Sequence, residues 1–150
     1  KSVSRGLGDV YKRQLQERMV NLIGQLTMPV AEVALVLQHH IQGLLGSLNE
    51  FVEKTGATIN ERVAQPWPIK ENDVDHNPIS FDVEKVLTIV DQDRMDILST
   101  LIRVTLVETE MDLVEGILAL RSWEQLVRQQ LAEATGPGQL FSPIELPEEW

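Results

Sequence analysis

Apolar side chains recur with a helical period along most of this chain. Residues 93–135 contain no proline, and that spacing is typical of an α-helix with a buried face. A second apolar series lies on another side of the same predicted helix. Because two apolar faces need two sets of neighbours, the pattern predicts one long central helix within a bundle. The first series is Met95, Leu98, Ile102, Leu106, Leu113, Ile117, Leu120, Val127 and Leu131, and the second is Leu101, Val104, Val107, Met111, Val114 and Leu118.

The most regular pattern lies between residues 30 and 54, where apolar positions alternate at spacings of four and three. Three such heptads are typical of a coiled-coil-like face, which we call the heptad face. The chain offers more apolar surface than its short helices could cover, so we expect copies of the chain to associate. The homo-oligomer would form through the second apolar series or through the heptad face, with these interface residues: Val30, Leu37, Ile41, Leu44, Leu48 and Phe51.

Shorter elements complete the predicted fold. Residues 15–27 form an amphipathic helix, and Gly56 ends the helix that carries the heptad face. Residues 57–81 form a long proline-containing loop with two helical turns at 59–65. A helix over 82–91 precedes the long one, which Asp91 or Asp93 caps. The fold class is therefore all-α: a bundle of about four helices spanning residues 15–136.

The C-terminal residues 137–150 are predicted to form an extended tail. Gly136, Pro137 and Gly138 stop the preceding helix. Five large apolar groups in the last twelve residues are too many for a free end. We expect the tail to lie in a groove of this chain or of a neighbouring subunit, with three anchors: Phe141, Ile144 and Trp150.

Residues 1–14 have no apolar periodicity. From Ser4 to Gln14 they read SRGLGDVYKRQ, which resembles a translated adaptor sequence that recurs at the ends of reading frames from metagenomic assemblies. The resemblance implies that this segment is not native and that the true N-terminus is missing. The alternative is an ordinary basic N-terminal arm.

Charge narrows the choice of partners. The net charge is −10, and without residues 1–14 it becomes −13, since Lys+Arg falls from 13 to 9 and Asp+Glu from 23 to 22. An acidic surface of this kind repels nucleic acid and anionic membranes, so we expect neither as a partner. There is no cysteine, which excludes disulfides and thiolate metal sites. No transmembrane span is expected, and a cytoplasmic location is the default expectation.

An acidic ridge follows the predicted long helix. Glu108, Asp112 and Glu115 share a face with small residues, and hard cations such as Mg²⁺ prefer oxygen ligands of this kind. With Glu50 and Glu53 on the preceding helix, the set resembles the magnesium-binding carboxylates of MazG-type all-α nucleotide pyrophosphatases. That family pairs an ExxE with an ExxD, whereas this chain has the second motif in reversed order and no basic cluster for phosphates. A solvated acidic face and a contact face for a basic partner are the alternatives.

The three histidines offer little for catalysis. His39 and His40 point about 100° apart on one helix, so they cannot chelate one ion together. His76 lies in an acidic loop that lacks the glycine and bidentate glutamate of an EF-hand. No phosphate loop, Gly-x-Ser-x-Gly or His-Glu-x-x-His occurs. The sequence favours a non-catalytic helical interaction or assembly protein without a cofactor, of phage or bacterial origin. A magnesium-dependent nucleotide pyrophosphohydrolase-like enzyme is the alternative.

Overall fold

A computed structural model of the protein describes residues 2–70, 87–134 and 137–147. Over these ranges the chain is an all-α bundle, as its apolar periodicity predicts. Four long helices account for most of it, and none of the described helices is long and apolar enough to cross a membrane. The elements are α1 (Ser2–Leu26), α2 (Val30–Thr55), α3 (Glu61–Ala64), α4 (Gln92–Glu108), α5 (Leu113–Glu133) and a 3-10 helix (Pro137–Phe141).

The predicted long central helix is wrong in one respect: it is two helices, α4 and α5, joined by a turn at residues 109–112. The chain leaves the helical path after Glu108 and re-enters it at Leu113. Glu110 has a positive φ of 52°, and the Thr109 hydroxyl donates to the Thr105 carbonyl oxygen at 2.7 Å. The Asp112 side chain then caps α5 by accepting from the Glu115 backbone N–H at 2.7 Å. Each of the two apolar series is therefore divided between two helices rather than lying on one continuous helix.

Burial explains why the chain turns between α4 and α5. A left-handed residue costs about 1–2 kcal/mol when it is not glycine. The turn allows α5 to bury Leu120, Trp123 and Val127, each at most 2% exposed, in the core cluster that contains Leu98 and Ile102 of α4. Each such side chain gains about 1.5–3 kcal/mol on full burial, so the gain exceeds the cost several-fold.

The heptad face lies inside the bundle. α2 packs chiefly against α5 and also against α4, and Val30, Leu37, Ile41 and Leu48 are buried there. Leu44 is half-buried, and Phe51, near the C-terminal end of α2, is 56% exposed. Because the chain's own helices already cover this face, the interface predicted along it is corrected to, at most, its end at Phe51. Gly56, with a φ of 71°, ends α2 as expected.

α1 covers the other side of α4. Its residues Leu15, Met19 and Ile23 are buried, as the amphipathic pattern predicts. The helix begins at Ser2, however, so helical structure extends through the segment that resembles an adaptor. The non-native origin of residues 1–14 stays a prediction, because a helix can form in either kind of sequence.

The C-terminal segment docks on its own chain. The Ile144 N–H donates to the Met28 carbonyl oxygen at 3.3 Å, and the Val30 N–H donates to the Ser142 carbonyl oxygen at 3.1 Å. Leu140 and Ile144 are buried, whereas Phe141 is half-buried and Trp150 lies outside the described residues. The extended form predicted for the whole tail is corrected for its first five residues, which form a 3-10 helix.

Candidate interaction surface

Three of the exposed large apolar side chains of the described residues lie on one side of α4. Ile97 is 47% exposed, Val104 42% and Val107 72%. At about 100° per residue, these side chains and the exposed Thr100 fall within an arc of about 80° on one side of the helix. We call Ile97, Thr100, Val104 and Val107 the outer face of α4. The second apolar series contains Val104 and Val107, so the sequence indicated part of this surface without showing that it would be left uncovered.

The inner side of α4 holds the outer face in place. Leu98, Ile102 and Thr105 on that side are all 0% exposed. The Asp91 carboxylate caps the helix by accepting from the backbone N–H groups of Asp93 and Arg94. A face on a helix that is buried along its other side and capped at its start is preorganised for binding, because little entropy remains to be lost there.

A buried ion pair fixes the beginning of α4 to α2. Arg94 Nε donates to Glu32 Oε1 at 2.9 Å, and Arg94 Nη2 donates to Glu32 Oε2 at 2.7 Å. The Asp91 N–H donates to the same carboxylate at 3.2 Å. The Glu32 side chain is 1% exposed, so burial makes this two-pronged contact a strong constraint on how α4 sits. The hydrogen bond to Glu32 raises the pKa of Arg94 from its ordinary value, which keeps the guanidinium charged.

The other end of α4 is held by α1. Arg18 Nη1 donates to Thr105 Oγ1 at 3.0 Å and to Glu108 Oε2 at 2.8 Å. Midway along the helix, His40 Nε2 and Ser99 Oγ are hydrogen-bonded at 2.8 Å. Burial lowers the pKa of His40, and the nearby His39 and Arg103 lower it further, whereas the contact with Ser99 acts in the opposite direction. His40 is therefore a structural contact between α2 and α4, and His76 lies outside the described residues.

Four charged side chains lie on or beside the outer face of α4: Asp93 in line with it, Glu108 at one border, and Asp96 and Arg103 at the other. Asp96 and Arg103 lie two turns apart on the same side of the helix, within about 20° of each other. Asp96 Oδ1 accepts from Gln92 Nε2 at 2.9 Å. Arg103 is exposed and takes part in no ion pair with another described residue.

The turn between α4 and α5 separates the carboxylates of the predicted acidic ridge. Glu108 ends α4 and pairs with Arg18, Asp112 caps α5, and Glu115 follows in the first turn of α5. Glu50 and Glu53 are exposed near the end of α2. Across the described ranges, no three His, Asp or Glu side chains are grouped closely enough to hold a metal ion. The shared face predicted for Thr105, Glu108, Asp112 and Glu115 is therefore corrected.

α5 holds two non-helical segments by means of glutamine amides. Gln129 accepts from the Lys70 N–H at 2.8 Å and donates to the Lys70 carbonyl oxygen at 3.0 Å. Gln130 makes the same paired contact with the N–H and carbonyl oxygen of Glu145. A cavity of about 700 Å³ lies between residues 68–70 and α5, but two of the amides that line it, those of Gln125 and Gln129, already bind the backbone of this segment. The cavity thus reflects how the loop is attached to α5 and offers few unused polar groups for a ligand.

Several of these contacts had no signal in the sequence. Glu32 and Arg94 are 62 positions apart, and the two glutamines look like ordinary surface residues of an amphipathic helix. Arg121 is buried too, and donates from both Nε and Nη2 to the Val63 carbonyl oxygen. One signal was available: Glu32 stands among Val30, Ala31 and Val33, where a charged residue requires a partner if the neighbours are buried.

Comparison with known proteins gives no information on function. No family model matches the chain, and neither the curated proteins nor the solved structures that were compared with it gave a match.

Proposed function

We propose that this protein is a non-catalytic helical interaction protein that assembles through the outer face of α4. The observation that carries the proposal is the exposure of Ile97, Val104 and Val107 together on one side of a helix that is buried on its other side. Isolated exposed apolar residues are ordinary on protein surfaces, whereas several aligned on one rigid face are typical of a contact surface.

The expected partner is a second copy of the chain. The sequence led to the expectation of a homo-oligomer, and the outer face of α4 now takes the place of the heptad face as its interface. A single helical face buries less than the roughly 800 Å² per partner of a standard interface, so the association should be weak. We expect a dissociation constant on the order of 10–100 µM.

The magnesium-dependent alternative has no supporting geometry in the described residues. Glu108 pairs with Arg18, Asp112 caps α5, and Glu115 lies in the first turn of α5. The alternative makes a different prediction. A site of that kind would stabilise the fold by linkage, so millimolar MgCl₂ would raise the melting temperature by several degrees. We expect no change beyond the error of the measurement.

Light scattering at about 5–200 µM protein tests the proposal, since this range brackets the expected dissociation constant. The mass should rise toward that of a dimer for the unmodified protein and stay at that of a monomer for Val104→Asp and Val107→Asp. Val10→Asp is the matched control, because Val10 is a 58% exposed valine on α1. A parallel Phe51→Asp variant tests the exposed end of the heptad face. Loss of association in Phe51→Asp with no effect in the α4 variants would contradict the proposal.

A further inference from the structure

We infer that two copies associate as a twofold-symmetric, antiparallel pair of α4 helices in which Asp96 of each copy meets Arg103 of the other. This inference rests on the proposed function and specifies the partner and its alignment. It begins from the position of the two charges. Asp96 and Arg103 border the outer face on the same side, and both are exposed.

Symmetry determines which borders can meet. When two identical helices pack antiparallel about a twofold axis, each border of one helix faces the same border of the other. Asp96 and Arg103 then face their counterparts in the other copy, and two opposite-charge contacts form per dimer. In a parallel pair the opposite borders meet, and Asp96 and Arg103 would face the side of α4 that carries Glu108 and the half-buried Leu101.

One pairing of the apolar residues falls close to the alignment of the charges. Pairing Asp96 with Arg103 places the twofold axis between residues 99 and 100. Pairing Ile97 with Val104 places it between residues 100 and 101. The two positions differ by one residue, about 1.5 Å along the helix. Both lie beside Thr100, whose short side chain at the axis lets two helices approach closely. The Asp96–Arg103 and Ile97–Val104 pairs thus form in nearly the same register. In that register Asp93 of each copy lies opposite Glu108 of the other, whose charge Arg18 balances, and Val107 has no apolar counterpart.

The state of Arg103 also favours this arrangement. It is exposed and unpaired within the described chain, so it can take a partner without breaking an existing ion pair. Asp96 is engaged with the neutral amide of Gln92 and can accept a second hydrogen bond. At about 0.15 M salt the Debye length is about 8 Å, so the repulsion between two acidic proteins is largely screened while direct contacts persist.

Charge exchange tests the inference with single variants and their mixture. Asp96→Arg gives a border with two positive charges, and Arg103→Asp gives a border with two negative charges. Each variant alone should associate at least about tenfold more weakly than the unmodified protein, because like charges meet twice in its dimer. An equimolar mixture should form a heterodimer, since both contacts between positions 96 and 103 are again between opposite charges. The double variant Asp96→Arg/Arg103→Asp should recover self-association.

Sedimentation velocity of the single variants, the mixture and the double variant gives the readout, with circular dichroism as the check of folding. The matched controls are Glu53→Arg and Lys54→Asp, exposed residues at the end of α2 whose mixture should behave like each variant alone. If Asp96→Arg and Arg103→Asp associate as well as the unmodified protein while Val104→Asp does not, the proposed function stands and this register is wrong. If both variants are weakened and their mixture stays monomeric, the antiparallel pairing is wrong. A monomeric unmodified protein over the whole concentration range overturns both.

Discussion

A substitution at Glu110 tests the turn between α4 and α5, because the sign of its effect on stability depends on whether that turn exists. Glu110 has a φ of 52°, a conformation that costs a residue with a side chain about 1–2 kcal/mol. Glu110→Gly removes this cost, although the more flexible unfolded chain takes back about 0.4–1 kcal/mol. The net effect should be a stabilisation of about 0.5–1 kcal/mol. For a domain of this length that corresponds to a rise in melting temperature of about 1–4 °C.

A continuous helix through residues 93–135 would respond in the opposite direction. Glycine in the interior of a helix costs about 1 kcal/mol relative to alanine, so Glu110→Gly would then lower the melting temperature. Asp112→Ala completes the test. In the structure with a turn, Asp112→Ala removes the cap on the Glu115 N–H and should lower the free energy of unfolding by about 0.5–2 kcal/mol. In a continuous helix, alanine at this position would instead stabilise the fold.

Thermal unfolding followed by circular dichroism measures both variants. Thr100→Gly serves as the control, because Thr100 lies inside α4 and glycine should destabilise there by several tenths of a kcal/mol. A lower melting temperature for Glu110→Gly together with a higher one for Asp112→Ala would refute the turn between α4 and α5. It would also refute the division of the two apolar series between these helices.

Three further predictions concern the contacts around α4 and the C-terminal segment. Arg94→Met leaves the buried Glu32 carboxylate without its counter-ion, whereas Glu108→Gln breaks an exposed ion pair. Arg94→Met should therefore lower the melting temperature more than Glu108→Gln does. Equal effects would show that the burial of Glu32 does not matter. Because the pKa of His40 is lowered in the folded protein, the unfolded chain binds a proton there at a higher pH than the folded chain does. The contribution of neutral His40 to stability is therefore complete above about pH 6.5 and is lost as the pH falls toward the folded pKa. Thermal unfolding should show a smaller loss of stability over this range in His40→Gln. Ile144→Ala should cost about 2 kcal/mol in urea unfolding, since Ile144 is 8% exposed, and an unchanged midpoint would mean that the C-terminal segment contributes nothing.

Local patterns in the sequence predicted the elements that depend on neighbouring residues. The heptad spacing predicted the buried face of α2 and Gly56 predicted its end, while Asp91 was one of two candidates, with Asp93, for the cap of α4. The apolar content of the tail indicated docking, and the structure places its contacts on α2 and α5. Each of these depends on spacing or on a cap, which a single sequence displays directly.

The sequence does not predict the turn between α4 and α5, because residues 109–112 lack the usual signals for a turn. Neither proline nor glycine lies between Glu108 and Leu113, and the left-handed position is held by a glutamate. One signal has two interpretations: Asp112-x-x-Glu115 fits a metal-binding ridge, and an acidic or hydroxyl residue three positions before a glutamate is also a common start of a helix. Tertiary burial of α5 decides between the two, and it cannot be obtained from local pattern.

The candidate surface was predicted in part for the same reason. The sequence showed two apolar series on residues 93–135, but the choice of which series is covered depends on where α1 and α2 lie. Leu98 and Ile102 are buried by those helices, and Val104 and Val107 are left exposed. The pair of Glu32 and Arg94 joins residues 62 positions apart, a contact that no local pattern could indicate.

The central claim is that the outer face of α4 contacts a second copy of the chain, and cross-linking at Thr100 tests it most directly. The chain has no cysteine, so Thr100→Cys introduces a single thiol, which the inferred twofold axis places close to its counterpart in the partner copy. Under mild oxidation at about 100 µM, near the expected dissociation constant, we predict rapid formation of a covalent dimer. Glu53→Cys, exposed at the end of α2, should form it slowly. The claim would be contradicted if Thr100→Cys and Glu53→Cys formed the covalent dimer at equal rates and if adding Val104→Asp to Thr100→Cys left its rate unchanged.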